Sequence, residues 1–315
     1  MVLLGSDGRW AVDCCRTQRH LTSKREYGSS DSIMAASEHA VACRREVRRH
    51  DYDRYLCALL APAQAREAVL VLTAFNLELA RVCEMVSEPL IGEIRLQWWR
   101  DALDGIFAGA PPAHFVAEPL SEAIRRFALS RDLIESLIDG RATDLDNEPP
   151  PDIAALSDYA EQTSSTLVRL SLEVLGAKPG EADEAARRIG IAWAYTGLLR
   201  SVPFHARQRR LYLPVDICRQ HGLDPHALLE GRRPDGLCDT VSVLAAEARG
   251  HLTAARALTL RCPRPLRRAL LPAVLADFYL DLLERAGFDP YRLVHDRPGP
   301  GAMLRLAWAA FRCQI

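Results

Sequence analysis

The chain has 315 residues, 49% apolar and 26% charged, with a formal net charge of -1. Its length suits one large globular domain or two ordinary ones, and the neutral balance gives no bulk attraction to nucleic acid or an anionic membrane. No run of about 18 or more apolar residues occurs, so no membrane-spanning helix is expected.

Residues 1–33 are polar, carry charges of both signs and lack periodicity, and read as a disordered leader ahead of a helical domain over 34–315. Residues 2–4 are apolar, but Gly5, Ser6, Asp7 and Gly8 follow at once, which excludes a signal-peptide core. Met34 is an alternative translation start. A targeting peptide is the competing reading, opposed by Asp7, Asp13, Glu26 and Asp31.

From about residue 50 the pattern is helical. Pro62 opens a segment whose apolar positions Val69, Leu72, Phe75, Leu79 and Val82 share one face. Ser87 reads as an N-cap ahead of Pro89, and the helix it opens places Ile91, Ile94, Trp98, Leu103 and Ile106 on its apolar stripe. On that pattern Trp98 belongs to the core. Residues 109–115 form a loop. Ser130 caps a helix burying Ile134, Leu137 and Ile138, and the proline run at 149–151 ends the next loop. Helices are expected over about 153–176, 181–202, 238–261, 266–286 and 302–313, with Asp224-Pro225 as a further cap signal. No alternating run bounded by turn signals predicts a strand. The class is therefore all-α, in a single domain.

Nine Cys follow no paired spacing, which points to buried thiols in a reducing compartment. Cys218, His221 and His205 supply at most three soft ligands with no recognised spacing, so a zinc site is disfavoured. Ser201 has no evident Asp and His partners for a hydrolytic triad. Glu78 and Glu84 do not share a helical face, and an ion-paired role suits each. The basic run at 205–210 is too short to establish a lipid contact alone.

Several features recur in a fixed order. They are AFNLELARVCEMVSEP at 74–89, Arg95-Leu96 with Trp99, Asp144-Leu145, the Tyr159 region, Leu198-x-Arg200, and Arg210-x-Tyr212-Leu213-Pro214. Over about residues 50–300 this set resembles the squalene/phytoene synthase family. The resemblance implies an isoprenoid-synthase-like helical bundle with a central cavity. It also implies two facing helices whose carboxylates hold Mg2+ ions against an allylic diphosphate, the chemistry that hard cations and phosphate oxygens require. In this sequence the first acidic motif falls on Ala80, Arg81 and Glu84, and the second on Gly197, Ser201 and His205. Pro203 breaks the second helix before His205. One retained acid cannot serve several metal ions, so Mg2+ is expected only if the chain is a prenyl transferase. Otherwise no cofactor is expected.

AFNLELA, Val86-Ser87-Glu88 with Ile91-Gly92, the Leu213–Gly222 segment and Pro203-x-His205 are similar to one branch of that family, the mitochondrial complex I assembly factor and its bacterial relatives. That branch implies a non-catalytic role with complex I subunits or assembly intermediates, a membrane surface, and a lipid or prenyl ligand in the cavity. It implies a cytoplasmic place near the inner membrane, or the matrix side in a eukaryote. The resemblance places Asn76, Glu84, Arg95, Asp144, Tyr159, Arg200, His205, Arg210 and Tyr212 at the cavity or on a diphosphate. Arg95, Arg200 and Arg210 serve equally as metal-free phosphate ligands or as bundle salt bridges. The competing function is a squalene- or phytoene-type synthase using prenyl diphosphates. A lipid-binding protein unrelated to complex I is the third.

Overall fold

The computed structural model describes residues 30–86, 88–180, 182–293 and 298–312, with side chains from residue 38 onward. Among them there are helices and turns but no strand. The first half holds α1 (Ser30–His50), α2 (Tyr52–Leu59), α3 (Ala63–Met85), α4 (Pro89–Phe107), α5 (Ala117–Phe127) and α6 (Arg131–Ala142). A short 3-10 turn, Thr143–Leu145, follows α6. Next come α7 (Ile153–Ala160), a π turn (Glu161–Ser165) and α8 (Thr166–Val174). The second half holds α9 (Asp183–Arg200), α10 (Val202–Arg207), α11 (Val215–Gln220), α12 (Pro225–Leu229), α13 (Leu237–Thr259), α14 (Pro272–Arg285) and α15 (Pro300–Arg312). The helix α1 opens at Ser30, ahead of the boundary expected at 33, while residues 1–29, including Cys14 and Cys15, lie outside the described residues.

Two apolar clusters carry the packing. One gathers Leu70, Leu72, Phe75, Leu79, Leu103 and Leu137 from α3, α4 and α6. The other gathers Ile189, Trp193, Val241, Leu244, Leu275 and Leu280 from α9, α13 and α14. The helix α8 packs against both α3 and α9 and joins the halves. Fully burying each Leu, Ile or Phe contributes roughly 1.5–3 kcal/mol, so continuous apolar stripes on these helices suffice to fix the bundle.

The helix starts follow local chemistry. Asp51, Asp152 and Asp224 accept from the backbone N–H of Arg54 at 3.1 Å, Ala155 at 2.8 Å and His226 at 2.9 Å. Two expected caps differ. Ser87 lies outside the described residues, and Glu88 holds the N-cap position of α4 without a side-chain bond. Ser130 does stand at the start of α6, but its hydroxyl bonds to Glu173 on α8 and ties two helices together instead.

The expected core position of Trp98 is corrected. Trp99 is buried and meets Phe75 edge-on at 5.0 Å, whereas Trp98 is 41% exposed along with Leu90, Ile91 and Ile94. The inward face of α4 runs through Gly92, Leu96, Trp99, Leu103 and Ile106. Gly92 sets that register, because a Cβ there would fall 2.4 Å from the Leu145 side chain.

Candidate functional site

A narrow cleft with a cavity volume of about 80 Å³ lies where the two halves meet. The helix α3 contributes Ala80, Cys83 and Glu84 to its wall, and α9 contributes Trp193, Ala194, Gly197 and Leu198. The π turn brings Thr163 and Ser164, and the chain after α9 brings His205, Gln208, Arg210 and Tyr212. A second, smaller and more apolar pocket of about 40 Å³ is lined by Cys57, Val69, Leu167, Val168 and Pro272, and Arg54 lines both.

The π turn is held by two glycines. A Cβ on Gly140 of α6 would lie 2.8 Å from the Gln162 Cβ, and one on Gly190 of α9 would lie 2.2 Å from the Ser165 Cα. Only hydrogen side chains permit both helices to close on it. Thr163 donates its hydroxyl to the Tyr159 carbonyl at 2.7 Å, which ties the π turn to the end of α7.

Asp144 is the polar centre of the cleft. Arg141 donates to its Oδ2 at 3.1 Å, Tyr159 to the same oxygen at 3.3 Å, and Tyr212 to Oδ1 at 2.8 Å. Arg141 also donates to the Tyr159 hydroxyl at 2.8 Å and to Asn76 Oδ1 at 3.3 Å. Arg210 reaches the backbone carbonyls of Asp144 at 2.5 Å and Cys83 at 3.2 Å. Burial holds both phenols above their ordinary pKa, so they remain donors at neutral pH. Arg54 is paired with Asp51 at 2.7 Å and stands 5.6 Å over the Trp193 ring.

Asp144, Tyr159, Arg210 and Tyr212 therefore meet at the cleft, with Asn76 behind them on Arg141. Glu84 lines it from the exposed rim, where partial withdrawal from water raises its carboxyl above the usual range. His205 lines it too, with its ring against Tyr212 at 4.8 Å, although Pro203 separates α10 from α9. Two expected residues lie elsewhere. Arg95 is exposed on α4, because the inward face of that helix passes through Leu96 and Trp99. Arg200 turns into the core, pairs with Asp53 at 3.2 Å and covers the Tyr279 ring at 3.3 Å. Arg54 and Arg141 were the cations not anticipated. The signal for Arg141 was its place one turn before Asp144, on the same face.

Ala80 and Gly197 face the cleft from opposite helices and offer no metal donor. Ser201 is buried at the end of α9. Glu84, Glu88 and Asp146 line a neighbouring opening at the mouth. Among the described residues no group of three or more His, Cys, Asp or Glu side chains is placed to hold a metal ion. The donor set does not fit the Mg2+ cluster that a diphosphate ionisation requires.

A sequence profile of the squalene/phytoene synthase family matches residues 47–302. The chain belongs to the squalene/phytoene synthase family. Among relatives, the NADH dehydrogenase (ubiquinone) complex I, assembly factor 6 of Rattus norvegicus is 39% identical, covering 78% of this chain and 74% of that protein. The Homo sapiens protein of the same name is 37% identical over the same shares. A presqualene diphosphate synthase of Rhodopseudomonas palustris is 27% identical, covering 73% of this chain and 81% of that protein. Among solved structures, a dehydrosqualene synthase in complex with ligand superposes with a TM-score of 0.77 at 17% identity, covering 89% of this chain and 98% of that one. The all-α isoprenoid-synthase architecture of the family is thus the architecture of this bundle.

Histidine burial in this family member sets a pH dependence. His50, His114, His205 and His251 are all held below the ordinary imidazole value, chiefly by burial, and His50 falls to about 4. At these histidines the unfolded chain binds protons that the native one refuses, so their contribution to stability is full above about pH 6.5 and is lost as pH drops toward 4, while Asp53, Glu78 and Glu84, raised by burial, act in the opposite sense. Urea midpoints measured from about pH 7.5 down to about pH 4.5 are expected to decline. The decline should be shallower in His50→Gln. The same profile in wild type and His50→Gln would contradict the assignment.

Proposed function

We propose that this protein is an assembly factor for respiratory complex I built on the squalene/phytoene synthase frame, without metal-dependent prenyl condensation. The observation that carries the loss of catalysis is the cleft itself. Ala80 and Gly197 line the cleft where metal ligands would be needed, and both oxygens of Asp144 already accept hydrogen bonds, from Arg141 and two phenols. The link to complex I is supported by the assembly factor 6 proteins at 37–39% identity. The partners in this reading are complex I subunits or assembly intermediates at a membrane surface, with a lipid or prenyl chain as ligand. Its place is the cytoplasmic face of the inner membrane, or the matrix face in a mitochondrion. Among the described residues no helix is long and apolar enough to cross a membrane, so contact there is peripheral in this reading. Deleting the gene is expected to lower complex I level and NADH:quinone oxidoreductase activity together.

A second reading, a prenyl diphosphate transferase, is favoured by one feature. Glu84 stands at the rim of a cleft that also holds Arg54, Arg141 and Arg210, and guanidinium groups suit phosphate oxygens. Pure protein given farnesyl or geranylgeranyl diphosphate with Mg2+ is expected to release no pyrophosphate. Release that disappears in Glu84→Gln would establish the transferase instead.

A further inference from the structure

The helix α15 is packed on one side only. It rests on α14 through Ala302, Leu306, Ala309 and Ala310, all buried. Its opposite side exposes Leu304, Trp308 and Phe311 to 72, 61 and 79%. Their spacing of four and three residues places them on one face, with the two rings 6.2 Å apart. Arg305 and Arg312 border that stripe along one edge. Arg305 is paired with Asp281 at 2.9 Å, and Arg312 lies 5.4 Å over the Trp308 ring. No acidic residue occurs between Pro298 and Arg312.

The other exposed apolar stripe, Leu90, Ile91, Ile94 and Trp98 on α4, differs in this respect. Glu88, Glu93 and Asp101 stand on or beside it. The helix α15 instead combines an exposed apolar face, an aromatic pair and two bordering arginines, of which Arg305 is paired with Asp281 and Arg312 lies over the Trp308 ring. That is the chemistry of a helix lying in a lipid headgroup layer rather than of a protein interface with a mixed polar rim.

We propose that α15 seats this protein on an anionic lipid bilayer, with Leu304, Trp308 and Phe311 entering the headgroup–acyl boundary and Arg312 meeting the lipid phosphates. This rests on the membrane-surface part of the function proposed above and is independent of the complex I part. Such seating needs no global positive charge, because the cations need only lie at the contact.

The test is sedimentation of the full chain with vesicles of phosphatidylcholine alone or mixed with phosphatidylglycerol. The wild-type protein is expected to bind the mixed vesicles and to bind them less as salt is raised. Trp308→Ala/Phe311→Ala should weaken that binding about tenfold or more. Arg312→Glu should weaken it on the anionic vesicles only. All three positions are exposed, so the thermal midpoint should stay unchanged and certify the fold. Absence of wild-type binding, or undiminished binding by the double variant, would overturn the proposal. Undiminished vesicle binding by a double variant that breaks up a dimer in sedimentation velocity would assign the face to a second copy instead. None of these outcomes reads complex I assembly, so failure here is distinguishable from failure of that function.

Discussion

Asp53→Asn is expected to destabilise the protein by about 3–5 kcal/mol, the loss typical of removing one partner from a buried ion pair. Asp53 and Arg200 have side chains only 2% and 6% exposed. Asp53 also accepts the Tyr279 hydroxyl at 2.7 Å, and Arg200 lies over that ring. Asn keeps the shape of Asp53 but leaves the guanidinium charge without its counterion. The double variant Asp53→Asn/Arg200→Met should recover much of the loss, because an apolar replacement removes the stranded cation. Denaturant unfolding of the three variants reads this cycle. A loss below about 1 kcal/mol in Asp53→Asn would mean that Arg200 finds other compensation, and would return it to consideration as a cleft cation.

Gly190→Ala is expected to cost about 3 kcal/mol or more, with the thermal midpoint falling by roughly 5 °C or more. The added Cβ would meet Ser165 at 2.2 Å from Cα, 2.4 Å from N and 2.5 Å from Oγ. Two of these atoms are backbone, so no rotamer change relieves the contact. The helix α9 must move off the π turn, carrying Trp193 and Gly197 away from Thr163 and Ser164. Gly250→Ala is the control. It lies exposed on α13 with open space around its Cβ position, and the substitution should stabilise by about 0.5–1 kcal/mol. Equal behaviour of the two variants in a thermal melt would contradict the close approach at Gly190.

The helical class was legible because apolar residues such as Val69, Leu72, Phe75 and Leu79 repeat with the helix period, and Asp224-Pro225 marks a helix start, whereas the caps Asp51 and Asp152 show only in the structure. The register of α4 was not. Trp98 and Trp99 are adjacent, and the inward face through Gly92, Leu96, Trp99, Leu103 and Ile106, with Gly92 close against Leu145, turns Trp99 inward. The cleft residues Asp144, Tyr159, Arg210 and Tyr212 were legible from their ordered motifs. Arg200 belongs to an equally clear motif, yet Asp53 lies 147 residues earlier in the chain and claims it from within the core. Arg141 was hidden for a related reason, since its role depends on Asn76 and Tyr159 arriving from other helices. Periodicity reports which face of a helix is apolar. It does not report which buried charge a distant helix supplies.

The central claim is that this cleft serves complex I assembly without Mg2+-dependent prenyl chemistry. Its most direct test is complex I level in a gene-deletion strain complemented with wild type or Glu84→Gln. Deletion should lower complex I, and both alleles should restore it equally, since Glu84 is the cleft carboxylate that makes no hydrogen bond or ion pair among the described residues. Unchanged complex I after deletion, or failure of stably folded Glu84→Gln to restore it, would contradict the claim.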